Sequence, residues 1–169
     1  GDEKRLKELN LSLWFDMCGI VGVMNLSGDT DHTSTLHKMM DGIINRGPDS
    51  GGSYVNENIF LGMRRLSIMD QVDGDQPFSF HNNMIQVIFN GEIYNYHKLR
   101  KLLESKGYIF RTGCDTEVIG YAYQYYGSNF ANYLDGMFAI ALWDDRNKTL
   151  FLIRDRLGIK PIYYFYNNS

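Results

Sequence analysis

Strands and helices that fall into separate groups along the 169 residues predict an α+β fold. Short apolar runs bounded by turn residues lie toward both ends, and amphipathic helical patterns lie between them. Seventeen Gly against three Pro, together with twelve Tyr and ten Phe, favour strands joined by tight turns. A hydrophobic fraction of 44% beside 22% charged residues suits a globular protein, and this length is enough for one domain with a sizeable core.

Residues 1–16 differ from the rest of the chain. Asp2 to Leu9 favours helix, with Leu6, Leu9 and Leu13 on one face, and the segment reads as an extension: a tag, a fused peptide or a propeptide. From Met17 the pattern turns to strand. Cys18–Asn25 reads as a buried strand closed by Ser27-Gly28-Asp29. Thr33–Asn45 reads as a helix with Leu36, Met39, Met40, Ile43 and Ile44 on its apolar face, and Arg46 to Gly52 as a loop because three Gly and a Pro interrupt any helix. Strands are expected over Asn58–Arg64 and Ile85–Asn90. Helices are expected over Tyr96–Lys106, ended by Gly107, and over Glu117–Tyr126, ended by Gly127. Phe138–Asp144, Thr149–Arg154 and Ile162–Tyr166 complete the strands, with Asp145-Arg146-Asn147-Lys148 as a hairpin turn.

Composition and spacing exclude several function classes. A net charge of −3 without a basic stripe argues against nucleic acid. No uninterrupted apolar run approaches ~18 residues, so no segment reads as a membrane-spanning helix. Residues 1–16 lack the apolar core of a secretory signal. His32, His37, His81 and His97 have no metal-ligand spacing, and no phosphate-binding Gly-rich motif occurs. Cys18 and Cys114 read as free thiols.

Four places can carry chemistry. Cys18 alone reads as a small buried hydrophobe in an apolar strand, but it directly follows Met17; once that Met is removed, its own α-amine, with an ordinary pKa of ~8, lies beside the thiol as a ready general base. While residues 1–17 remain attached, the same nitrogen is an amide and has no useful basicity. Asn90-Gly91-Glu92 follows the strand Ile85–Phe89, where an Asn side-chain amide and a Gly amide form an oxyanion-type donor pair; a plain Asn-Gly turn is the other reading. Arg64-Arg65 offers a guanidinium for a carboxylate, or else a solvated surface pair. Cys114-Asp115-Thr116-Glu117 reads as a helix N-cap, with a carboxylate that could also bind an ammonium.

Taken together, Met17-Cys18-Gly19-Ile20-Val21-Gly22, Arg46-Gly47-Pro48-Asp49, Arg65-Leu66-Ser67-Ile68-Met69-Asp70 and Asn90-Gly91-Glu92-Ile93-Tyr94-Asn95 resemble the class II glutamine amidotransferases. Thr112-Gly113-Cys114-Asp115-Thr116-Glu117, Leu134-Asp135-Gly136-Met137-Phe138-Ala139 and Arg154-Asp155-Arg156-Leu157-Gly158-Ile159-Lys160-Pro161 extend the likeness in the same order. Within that group the chain looks like the glutamine-hydrolysing asparagine synthetase branch. The resemblance implies a four-layer αββα sandwich of two antiparallel sheets, the N-terminal-nucleophile hydrolase fold. It also implies a cytoplasmic glutaminase domain over residues 17–169 that releases ammonia from L-glutamine for asparagine biosynthesis. In the implied roles, Cys18 attacks the side-chain amide and Asn90 with the Gly91 amide holds the oxyanion. Arg65 grips the α-carboxylate, Leu66, Ser67, Ile68 and Met69 line the pocket, and Asp115 with the Gly91-Glu92 stretch takes the α-ammonium.

The implied partners are L-glutamine and a synthetase domain, with a homodimer as one allowed assembly; ATP and Mg belong to the synthetase domain alone. The chain is expected to lack that domain and to stop short of the glutaminase domain's last strands, leaving a sheet edge exposed. Asn45 stands where the family usually has His before Arg-Gly-Pro-Asp. A catalytically silent domain of the same fold, or the amidotransferase half of a peptide-cyclising or sugar-amidating enzyme, is the competing expectation.

Overall fold

In a computed structural model, residues 18–25, 30–66 and 75–166 are described. The expected N-terminal helix, the Ser27-Gly28-Asp29 turn and Ser67 to Met69 lie outside the described residues. The chain forms two compact units, Gly1–Pro77 and Phe78–Ser169.

The first unit is built on a three-stranded antiparallel sheet. Strand β1 (Gly19–Met24) and strand β2 (Ser50–Val55) flank β3 (Ile59–Arg65). Gly19 pairs with Arg64 on one side of β3 and Ser50 with Arg65 on the other, so both outer strands meet the C-terminal end of β3. Helix α1 (Thr33–Gly42) packs on this sheet and buries Leu36. It is shorter than the sequence suggests: after Gly42 the chain tightens into a 3-10 turn, Ile44–Arg46, and Ile44 is 41% exposed instead of packing on the apolar face. The expected loop over Arg46 to Gly52 also ends early. Ser50-Gly51-Gly52 forms the first half of β2, because the ladder to β3 supplies hydrogen bonds that glycine-rich local sequence does not advertise.

The second unit holds a four-stranded antiparallel sheet ordered β4 (Phe78–Phe80), β5 (Ile85–Ile93), β6 (Gly136–Asp144) and β7 (Thr149–Arg154). Helices α2 (Tyr96–Ser105) and α3 (Thr116–Tyr126) lie between β5 and β6 in sequence. Val87, Phe89, Ile93, Phe138, Ile140 and Leu142 on one face of the sheet pack against Leu99, Leu103, Val118, Ile119 and Ala122 of the helices. The other face is buried as well: Gln86, Ile88, Ala141 and Trp143 are each 4% exposed or less. Burial on both faces explains why β5 and β6 read as near-continuous apolar runs instead of alternating. Each fully buried Val, Leu, Ile or Phe side chain of this core contributes about 1.5–3 kcal/mol.

Local rules set the helix ends. Tyr108 N–H bonds Leu103 O at 3.1 Å and Gly107 N–H bonds Glu104 O at 3.0 Å, the paired closure around a residue of positive φ (+92°) that glycine alone adopts freely. Gly127 ends α3, and a 3-10 segment over Gly127–Tyr133 follows. The hairpin between β6 and β7 turns where the sequence places it. The expected strand Ile162–Tyr166 does not form: residues 161–166 are irregular, and Tyr163 and Phe165 are each 91% exposed. Among the described residues β7 is an outer strand, and nothing pairs with these aromatic residues to hold them extended. The α+β class and the two antiparallel sheets agree with the sequence reading.

Candidate functional site

In the first unit, the pairing of Gly19 with Arg64 brings Cys18, the residue before β1, to the end of β3. Its thiol is half-buried, 4.0 Å from the carbonyl oxygen of Leu66, and it makes no disulfide. Arg65 closes β3 at the same end. Its side chain is only 15% exposed, and its guanidinium stands 3.6 Å from Asp75, a carboxylate 94% exposed. Arg65 is therefore not the solvated surface residue of the alternative reading, and an ion pair to so exposed a partner contributes little. The Arg46-Gly47-Pro48-Asp49 segment braces this end. Asp49 N–H donates to Arg65 O at 3.2 Å, and a Cβ at Gly47 would overlap the backbone of Arg64 and Arg65. Asn45 is exposed in the 3-10 turn.

In the second unit, β5 does not end at Asn90; it runs on to Ile93 in continuous pairing with β6. Asn90-Gly91-Glu92 is thus strand, not turn. Gly91 makes this feasible, because its φ of +148° is closed to other residues and a Cβ there would overlap the Met137 carbonyl. Asn90 is 8% exposed and Glu92 is exposed.

The direction of the Gly91 N–H follows from its neighbours. Phe138, opposite Gly91, bonds Asp155 with both backbone groups: its N–H to Asp155 Oδ2 at 3.2 Å and its C=O from Asp155 N–H at 2.8 Å. Antiparallel alternation then turns the Gly91 backbone away from β6, toward the edge that β4 covers only as far as Val87. Ile93, two residues on, faces the same edge, and there its N–H donates to Asp115 Oδ2 at 2.9 Å.

That bond corrects the reading of Asp115. The residue occupies the N-cap position of α3 but makes no capping bond; its carboxylate reaches β5 instead. Burial raises its pKa above the usual value, a nearby Glu92 carboxylate adds to the rise, and the Ile93 N–H works against it. Strand β5 and the start of α3 so bring Asn90, Gly91, Glu92 and Asp115 together, as β1 and β3 bring together Cys18, Arg65 and Leu66.

The sequence reading named two further carboxylates only as members of motifs and missed their buried roles. Asp155 is 3% exposed and accepts N–H groups from Phe138, Leu157, Ile159 and Lys160. Burial alone would raise its pKa, but these bonds hold it below the usual value. Glu117 is fully buried and bonds residues ahead of its helix instead of the helix's own amides. The signals for Asp155 were its place just after a strand, ahead of Gly158, and within the run Arg154 to Pro161 that carries the family resemblance. Among the described residues, no cluster of three or more His, Cys, Asp or Glu could hold a metal, and no helix is long and apolar enough to cross a membrane.

Residues 17–169 match a protein family described as the glutamine amidotransferase domain. The chain is 46% identical over 151 residues to glutamine-hydrolyzing asparagine synthetase 1 of Bacillus subtilis (strain 168), covering 88% of this chain and 24% of the relative. It is 40% identical over 148 residues to glutamine-hydrolyzing asparagine synthetase 3 of Arabidopsis thaliana, covering 87% and 25%. The chain spans about a quarter of the length of the curated relatives it matches. Among solved structures, it is similar to the glutamine phosphoribosylpyrophosphate amidotransferase from B. subtilis complexed with ADP and GMP. That likeness has a TM-score of 0.50 and 25% identity, over 62% of this chain and 24% of the other. An allosteric regulatory enzyme of purine biosynthesis, 21% identical with a TM-score of 0.51 over 85% of this chain and 32% of the other, shares the fold.

Proposed function

Because this chain belongs to the glutamine amidotransferase domain family, we propose that it hydrolyses L-glutamine to glutamate and ammonia, with Cys18 as the nucleophile. The observation that carries this reading is the set of groups that each unit holds by itself. A half-buried thiol and a guanidinium sit at the end of β3; a buried Asn and a Gly N–H turned out of its ladder sit on β5, and the half-buried Asp115 carboxylate reaches β5 from the start of α3. Glutamine presents a group for each: an amide carbon for the thiol, a carboxylate for Arg65, a developing oxyanion for Asn90 and Gly91, and an ammonium for Asp115.

Cleavage of the Met17–Cys18 bond frees the α-amine of Cys18. The amine takes the thiol proton, the thiolate adds to the amide carbon, and the tetrahedral oxyanion forms on the oxygen that Asn90 and Gly91 receive. The same amine returns the proton to the departing nitrogen, so ammonia leaves and a γ-glutamyl thioester remains on Cys18. Water, deprotonated by the amine, then releases glutamate. With Met17 attached the nitrogen is acylated and this cycle has no base. The ammonia serves an ATP-dependent amidation in a partner synthetase domain, on the pattern of the asparagine synthetases the chain resembles.

The test is glutamate release measured on the chain cleaved before Cys18 and on the chain still carrying residues 1–17, with the N-terminus fixed by mass spectrometry. The cleaved form should turn over and its Cys18→Ala variant should lose at least three orders of magnitude. Equal rates from the cleaved and uncleaved chains would refute the α-amine mechanism.

A further inference from the structure

Glu117 lies in the first turn of α3, where a glutamate ordinarily faces solvent and supports the helix end. Here it is fully buried, and its bonds go five and six residues backward. Thr112 N–H and Thr112 Oγ1–H donate to Oε2 at 2.9 and 2.8 Å, and Arg111 N–H lies 2.9 Å from Oε1. A carboxylate this buried is sustained by that set of donors and by the N-terminal dipole of α3. The Arg111 guanidinium is a lesser partner, since it is 62% exposed and 3.8 Å away.

The bonds converge on one residue. Thr112 Oγ1 also accepts from Cys114 N–H at 3.3 Å, and Thr112 O accepts from Arg100 Nη1 at 2.6 Å. The Thr112-Gly113-Cys114 turn is therefore tied to α3 through Glu117 and to α2 through Arg100. Asp115 follows the turn directly, and its Oδ2 meets Ile93 N–H two residues beyond Gly91. A loosened turn would release Asp115 from β5 without touching the packing of the sheet.

We propose that Glu117 is a positioning residue for substrate recognition: through Thr112 it fixes the turn that aims the Asp115 carboxylate, and so sets the affinity for the α-ammonium of an amino-acid substrate. This rests on the assignment of Asp115 as the ammonium partner. Glu117 touches no substrate atom itself.

The test uses the full chain carrying Cys18→Ala, so that nothing turns over. Calorimetry compares L-glutamine with 4-carbamoylbutanoate, the same molecule without its ammonium, and the Ile93 amide proton is followed by NMR. Glu117→Gln keeps the volume but loses the ionised acceptor. It should raise the Kd for glutamine about tenfold, the equivalent of one charge-assisted hydrogen bond, and leave that of the analogue within about twofold. The Ile93 amide resonance should move upfield as its bond to Asp115 lengthens. Thr112→Val, which removes only the hydroxyl link, should act in the same direction. Equal weakening of both ligands would reduce Glu117 to a structural role, and an unchanged Ile93 resonance with unchanged glutamine affinity would overturn the proposal. Where the analogue binds too weakly to titrate, the Ile93 resonance decides between these outcomes. A parent chain that binds no glutamine while Glu117→Gln still moves the Ile93 resonance would refute the glutaminase reading and leave the coupling of Glu117 to Asp115 intact.

Discussion

At Gly91, a φ of +148° and the Met137 carbonyl beside the missing Cβ close the position to any side chain. Gly91→Ala should cost roughly 3 kcal/mol in urea unfolding, because it adds a backbone clash to an unfavourable conformation. Gly42→Ala, at the end of α1 with nothing within 4 Å of its added Cβ, should stabilise by roughly 0.5–1 kcal/mol. Asp115 gives a pH dependence of a particular sign. Burial, with Glu92 adding to it, places its pKa above the usual carboxylate value, so the folded chain favours the protonated form, and stability falls as pH rises through that pKa. Ammonium binding needs the ionised form. Glutamine affinity should therefore weaken as pH drops through the raised pKa, with about one proton taken up per ligand released, and Asp115→Asn should abolish the slope. Titrations by calorimetry across the acid range measure both.

At the scale of the element, the β6–β7 hairpin is held by a carboxylate. Asp144 is fully buried and accepts two bonds from the Arg146 side chain, at 2.9 and 2.6 Å, and one from the Tyr123 hydroxyl at 2.7 Å. Burial works against its ionisation, but Arg146 and Tyr123 prevail and hold its pKa at about 2; burial and Asp144 together push Tyr123 up to about 12. A depressed folded pKa contributes stability above the unfolded value of ~3.9, and that contribution is lost as pH falls toward 2. Asp144→Asn should destabilise by about 2 kcal/mol at neutral pH and flatten the acid limb of the stability curve between about pH 4 and 2. The sequence showed this hairpin because Asp-Arg-Asn-Lys is local turn chemistry, and it showed α2 and α3 because their periodicity and glycine stops are local too. It missed β2, the three-residue β4 and the last three residues of β5. Ser-Gly-Gly and Asn-Gly carry turn signals, and only the long-range ladders to β3 and β6 override them.

Across the whole molecule, the candidate site was legible as residue types in a fixed order, and its supports were not. Cys18, Arg65, Asn90, Gly91 and Asp115 could be named because each stands in a run that resembles the amidotransferase family and brings a side chain or a backbone suited to one part of an amino-acid amide. The buried roles of Glu117 and Asp155 were not legible, since their partners are mostly backbone N–H groups, which every residue but proline carries and no sequence pattern marks. The Asp115 cap was misread for the same reason: the competing donor, Ile93 N–H, lies 22 residues away. The proposed mechanism stands on one event, the covalent bond that Cys18 forms to glutamine once its nitrogen is free. Rapid quenching of the cleaved chain in acid after mixing with glutamine, followed by peptide mass spectrometry, looks for that bond itself. A γ-glutamyl thioester on the peptide that begins at Cys18 is the predicted result. Glutamate release with no adduct there, or with the adduct on Cys114, would contradict it.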